Sequence, residues 1–148
     1  MPGLQNPRII KTGNVALPVA AIIIILYYKT CGSSCSYLRG TLFGVDLAVV
    51  GILFMAALFV LNFTPTAGNH LRTMLLCGAL GGETILVRFQ IINDLYCRFC
   101  LAFGFIVLIL FALNFKSMNR YPALASFLGG LVLFFFFFQG SVVMPLFS

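Results

Sequence analysis

Charge is what this 148-residue chain has least of. Asp, Glu, Lys and Arg make up only 8% of it, against roughly a quarter in soluble globular domains. That shortage excludes an ordinary water-soluble domain. No low-complexity polar tract and no linker-like stretch interrupts the sequence, so a string of flexibly joined domains is excluded too. No small-x-small cleavage site lies between Tyr28 and Cys31. The first apolar run, which follows Arg8 and Lys11, therefore reads as an uncleaved anchor and not as a signal peptide. The net charge of +6 would suggest nucleic acid in a soluble protein. Here the nine Lys and Arg sit mostly between apolar runs and report topology, so no nucleic-acid partner is expected. The single histidine, His70, falls in a loop and reads as a surface residue.

What is present is apolar: 61% of the residues are hydrophobic, and the mean hydropathy is +1.10. Runs such as Ile22–Ile25 and Phe134–Phe138 carry no amphipathic period, as expected where lipid or other helices cover every side. A helix needs about 20 apolar residues to cross a bilayer. Five candidates emerge, near Asn14–Tyr28, Leu42–Phe63, Leu71–Leu95, Cys97–Phe115 and Pro122–Leu146. The first is short; Ile9 and Ile10 extend it and Lys29 snorkels to the interface. Breakers mark the gaps: CGSSCS, TPTAGN, ND and KSMNRYP. The expected fold is an all-α integral membrane protein, a single domain over residues 1–148.

The basic residues set the orientation. Arg8, Lys11, Arg72, Lys116 and Arg120 flank one set of span ends, and Lys29, Arg39 and Arg98 the other. The positive-inside rule then puts the N-terminus in the cytoplasm. Five cysteines follow from this topology in an ordered way. Cys31 and Cys35 lie after the first span and Cys97 and Cys100 open the fourth, so both pairs face the extracytoplasmic side, where disulfides form and persist. Cys77 is left over inside the third span.

Cys97-Arg98-Phe99-Cys100 places two sulfurs on one helical face. The first turn of a helix favours the thiolate, which is the reacting form. Asn93 or Asp94 is positioned by sequence to cap that turn. Cys31-Gly-Ser-Ser-Cys35 sits among small residues, which suit a mobile thiol carrier better than a staple. A disulfide relay is the favoured reading of the four cysteines; a tetrahedral zinc site and a purely structural pair are the rivals. Glu83 and Arg88 fall inside the third span, where charges are costly and turn to a bundle interior or a cavity. Five residues apart, they stand about 140° around the helix and share no face. Tyr37, Phe43, Phe89, Tyr96, Phe99, Phe103 and Phe105 crowd the cysteine end, and some of them suit a flat apolar pocket beside Cys100.

Two external cysteines after the first span, then Cys-x-x-Cys opening the fourth, resemble the vitamin K epoxide reductase family. The stretch from Cys35-Ser36 through Thr41 to Gly44 strengthens this: Cys-Ser, a hydroxyl residue six places after that cysteine, and Gly nine places after it. GVDLAVVGILFMAAL is similar to the family's second helix. The resemblance covers residues 10 to 115 and implies a four-helix transmembrane bundle around a quinone site, to which the span over residues 122–146 adds a fifth helix. It implies that Cys31 and Cys35 accept electrons from a reduced thioredoxin-fold protein outside the cytoplasm. Cys97 would exchange disulfides with that loop pair, and Cys100 would deliver electrons to a quinone of the ubiquinone, menaquinone or vitamin K type. Thr41, Phe99, Phe103 and Tyr96 are the implied quinone contacts. The loop cysteines are closer together than the family's usual spacing. Phe103 and Gly104 stand where it often has a hydroxyl-bearing aromatic. The function so implied is a membrane thiol oxidoreductase that sustains disulfide formation. Vitamin K quinone or epoxide reduction, a cysteine-based metal-handling protein and a non-catalytic scaffold are the alternatives. The five-span layout and the lack of an ER-retention tail favour a bacterial or archaeal cell membrane.

Overall fold

The computed structural model describes residues 6–31, 38–64, 67–115 and 120–142. Within them run helices α1 (Pro7–Cys31), α2 (Leu47–Leu61), α3 (Ala67–Ile92), α4 (Arg98–Asn114) and α5 (Arg120–Phe137), and strands β1 (Leu38–Leu42), β2 (Val45–Asp46) and β3 (Phe138–Val142). Asn6 caps α1, its Oδ1 accepting the Arg8 N–H at 3.2 Å. Pro7 takes the first helical position, where a missing N–H costs nothing. Among the described residues three helices are long and apolar enough to cross a membrane: Pro7–Thr30, Gly68–Ile92 and Arg120–Phe137. Apolar side chains such as Ile23, Leu124 and Phe136 face outward from them, as a lipid environment requires.

Two of the five expected spans fall short of that length. α2 has 15 residues and α4 has 17, or about 22 and 26 Å at 1.5 Å per residue, below the ~30 Å of a hydrocarbon core. α2 is short because Leu42 belongs to a strand. The fold is mainly helical, as expected of an all-α chain, and among the described residues β2, β1 and β3 add a three-stranded antiparallel sheet in that order. Phe43 and Gly44 turn the β1–β2 hairpin with positive φ values of 55° and 78°, the combination that a two-residue turn matching strand twist demands. β3 returns from the end of α5 and pairs with β1 from Leu38↔Val142 to Leu42↔Phe138. At the middle of that ladder Gly40 faces Gly140. The Phe138 ring lies against Gly40 and the Phe89 ring against Gly140, leaving no room for a Cβ on either.

α1 packs on α2 and α4, α3 packs on α4 and α2, and α5 lies along α3. The buried core, Ala21, Met55, Leu58, Leu76, Ile106, Val107 and Leu110, fills the half of this arrangement away from the cysteines. Beyond it, three asparagines tie helix ends together. Asn14 and Asn114 exchange side-chain amide bonds at 3.2 and 2.8 Å, and the Asn62 amide donates to the Asn14 carbonyl. Among apolar surroundings such bonds have no water to replace them, which gives them their value in joining helices.

The α3–α5 contact is built on small residues. Gly78-x-x-x-Gly82 on α3 meets Ser126-x-x-x-Gly130 on α5, a spacing that lets two backbones approach closely. A Cβ on Gly130 would run into the Gly78 carbonyl, and one on Gly81 into the Phe127 carbonyl, whereas Gly129 next door faces open space. Gly130→Ala is therefore expected to lower the thermal unfolding midpoint of the detergent-solubilised protein. Gly129→Ala should leave it level or raise it, by up to about 1 kcal/mol from helix propensity. Equal effects of the two substitutions would contradict this account of the interface.

Candidate active site

The half of the molecule without a solid core holds a cavity of about 850 Å³. Ile24 and Tyr28 of α1, Val50 and Phe54 of α2, Leu86 and Phe89 of α3 and Phe99 and Phe103 of α4 line it. Leu133 and Phe134 of α5 complete the wall. Gly40, Thr41 and Phe138 of the sheet close one end. Charged lining residues Lys29, Arg39 and Asp46 belong to the exposed rim. There the Lys29 ammonium stands 3.5 Å from Asp46 Oδ2, and Asp46 Oδ1 caps α2 by accepting the Ala48 N–H at 2.9 Å. An ion pair this exposed contributes under about 1 kcal/mol; its effect is to hold the start of α2 near the end of α1.

The turn from α3 into α4 positions the cysteines. α3 ends in a Schellman motif: Asp94 takes the left-handed conformation at φ 52°, its N–H reaches Ile91 O at 3.2 Å, and the Leu95 N–H reaches Gln90 O at 3.1 Å. Three residues later Cys97 is itself the N-cap of α4, its sulfur accepting the Cys100 N–H at 3.3 Å. This corrects the expectation that Asn93 or Asp94 caps this helix; both are committed to ending α3. The Cys97 backbone N–H donates to Gln90 Oε1 at 3.0 Å, and Gln90 is buried. One amide side chain thus joins the two helices at the residue where the chemistry begins.

Cys97 and Cys100 are both free thiols. Cys97 is buried at the cap, while half-buried Cys100 lines the cavity. The Cys100 thiol is the main group pointing at the Cys97 sulfur, and the N–H groups of Cys100 and Phe99 add to it. Together they outweigh burial, which acts the other way, and hold Cys97 well below the ordinary thiol range. A helix-start cysteine with a stabilised thiolate is the arrangement that thiol–disulfide exchange requires.

Of the four expected quinone contacts, Thr41, Phe99 and Phe103 line the cavity, whereas Tyr96 is not part of its lining and is 62% exposed. Cys31 is the last residue of α1, and Cys35 lies outside the described residues. The Phe99 ring packs 5.2 Å from Tyr28 and 6.2 Å from Tyr27, so the end of α1 abuts the start of α4. Cys31 is three residues beyond Tyr28, about 4.5 Å further along the axis, on the same end of the molecule as the Cys97–Cys100 pair. Glu83 and Arg88 separate as their spacing requires. Glu83 faces the cavity, and Arg88 lies in a second groove with Leu131, Phe135 and Phe136.

Sequence reasoning missed Gln90, although a lone amide in an apolar run must find a partner and so carries a signal. Gln90→Leu leaves the buried Cys97 N–H unpaired, at a cost of about 1–3 kcal/mol. It is expected to lower the thermal midpoint and to move the pH dependence of Cys97 alkylation toward that of a free cysteine. In the unsubstituted protein that curve should rise on the acid side of free cysteine, because the thiolate reacts and its formation is favoured. A curve at the free-cysteine position would contradict the cap geometry. Comparison with protein-family models, with curated proteins and with solved structures finds no match to this chain.

Proposed function

We propose that this protein is a membrane thiol oxidoreductase that passes electrons from an extracytoplasmic thioredoxin-fold protein to a quinone and so sustains disulfide formation. The observation that carries the reading is the position of Cys100. It sits one turn into α4 behind a capped, thiolate-favouring Cys97, and it opens onto a large apolar cavity lined by aromatic rings. A cavity of about 850 Å³ lies within the roughly 300–1,000 Å³ usual for small-molecule sites. Phe54, Phe89, Phe99, Phe103, Phe134 and Phe138 supply flat apolar faces for a ring and its isoprenoid tail. A quinone supplies a two-electron acceptor that dissolves in the bilayer.

The residues divide the work. The partner's dithiol reduces the Cys31–Cys35 pair by thiol–disulfide exchange. That pair reduces a Cys97–Cys100 disulfide through attack at Cys97, the member of the pair that caps α4. The regenerated Cys100 thiol then faces the quinone in the cavity, and its oxidation with Cys97 closes the disulfide again. Thr41, at the sheet end of the cavity, orients the ring through its hydroxyl. On this reading α1 to α4 form the bundle around the quinone, α2 and α4 crossing only part of the hydrocarbon core as helix, and α5 supports one wall of it. The N-terminus is cytoplasmic and the cysteines are extracytoplasmic, in a bacterial or archaeal membrane.

Purified protein in liposomes, supplied with a reduced thioredoxin-fold protein, should reduce ubiquinone or menaquinone in a steady-state assay. Cys100→Ala should remove that activity. Undiminished turnover in this variant would sink the mechanism, and a stoichiometric metal in protein purified without chelator, with no quinone reduction, would favour a metal-handling role instead.

A further inference from the structure

Cys100 has a neighbour that the relay leaves without a task. Glu83 is the chain's only glutamate, and it projects from the middle of α3 into the cavity. Its carboxylate rests against Gly104 of α4, so that a Cβ at that position would lie 2.9 Å from Glu83 Oε2. Gly104 is four residues after Cys100, one helical turn along the same face, and Glu83 and Cys100 both line the cavity. A carboxyl group within an apolar span is expensive to maintain, and here no described residue offers it a hydrogen bond or an ion pair. The other ionisable groups lining the cavity are Lys29, Arg39 and Asp46 at the rim and the Tyr28 phenol of α1; α5 adds only the Ser126 hydroxyl and α3 the Gln90 amide.

Resting on the reading of the cavity as a quinone site, we propose that Glu83 is the proton donor to the quinone oxygen, paired with Cys100 across Gly104. Oxidation of the dithiol breaks two S–H bonds, forms the Cys97–Cys100 S–S bond and releases two electrons and two protons. Conversion of a quinone to a quinol takes up both electrons and forms two O–H bonds. The Cys100 sulfur faces an apolar volume in which no other carboxyl group stands beside it, so the proton needed there has to be held there. Glu83 gives its carboxyl proton to the ring oxygen and takes the Cys100 thiol proton in return; the second proton exchanges with solvent through the rim. The cysteine and the acid thereby act on one ring from adjacent turns of two packed helices.

The experiment uses the full chain in liposomes with a short-tailed ubiquinone, read in two ways. In the first, kcat and KM of Glu83→Gln and Glu83→Asp are measured across pH. Glu83→Gln should lose about 100-fold in kcat, within the ~10²–10⁴ typical of general acid catalysis, with KM nearly unchanged, and Glu83→Asp should recover part of the loss. The second needs no quinone and no substitution. With ¹³C-glutamate the infrared difference spectrum between reduced and oxidised protein reports Glu83 alone, and it should contain an isotope-shifted protonated-carboxyl band. Wild-type kcat and pH profile in Glu83→Gln, or a labelled spectrum without that band, would overturn the assignment while leaving the thiol–quinone reading intact. Wild-type protein that reduces no quinone would bring down both.

Discussion

One side chain holds together the turn on which the cysteine pair depends. The Gln90 main-chain carbonyl takes the Leu95 N–H that closes α3, and its side-chain oxygen takes the Cys97 N–H that opens α4. Both acceptors belong to a residue that is 2% exposed, where no water competes for the bonds. The direction of α4 as it leaves the turn decides that Cys97 caps the helix, and the cap decides that Cys100, one turn on, faces inward. Since a bond made in apolar surroundings is costly to leave unmade, this joint is rigid. A reactive thiol held at a fixed place beside a cavity follows from it.

The rest of the molecule divides into a filled half and a hollow half. In the filled half the Met55, Leu76, Val107 and Leu110 side chains pack without space between the helices, and the asparagine bonds of residues 14, 62 and 114 lock the helix ends beyond them. The hollow half has no such core, so its walls have to be held from outside. α5 does this on one side, through backbone-to-backbone contact at Gly78 and Gly130. The small sheet does it at the end, with the Phe89 and Phe138 rings locked over a facing pair of glycines. A cavity persists when its surroundings cannot collapse into it, and these two devices are what resist collapse.

How much of this is visible in the sequence depends on the range of each interaction. Helices α1, α3, α4 and α5 are legible because each is a local apolar run bounded by breakers. That α1 ends, at Cys31, beside the start of α4 is legible because span order alone brings those ends to one side. β1 and β3 are not, because Leu38–Leu42 finds its partner a hundred residues away, and no local pattern announces that the phenylalanine run ends in a strand. Leu42 looks like the start of a span for the same reason. The Gly78-x-x-x-Gly82 spacing suits close helix packing in general, but it fits any partner, and only α5 in place against it shows its use. Glu83 and Arg88 were separable from their spacing alone; what Glu83 faces depended on the helices around it. Tyr96 illustrates the opposite case, since proximity in sequence to Cys97 put it in the site and the turn geometry took it out.

In the proposed reaction electrons leave the Cys97–Cys100 dithiol for a quinone in the adjoining cavity. The most direct measurement is a single turnover without any protein partner. Fully reduced protein carrying Cys31→Ala and Cys35→Ala, so that no loop dithiol can re-reduce the pair, is mixed with one equivalent of a short-tailed quinone under anaerobic conditions, and quinol and remaining thiols are counted together, with alkylation sites mapped by mass spectrometry. The account predicts one quinol formed for each Cys97 and Cys100 pair lost from the alkylated pool, with Cys77 still alkylated after unfolding. Quinol formed while both cysteines stay reduced, or a disulfide formed with no quinol, would contradict it.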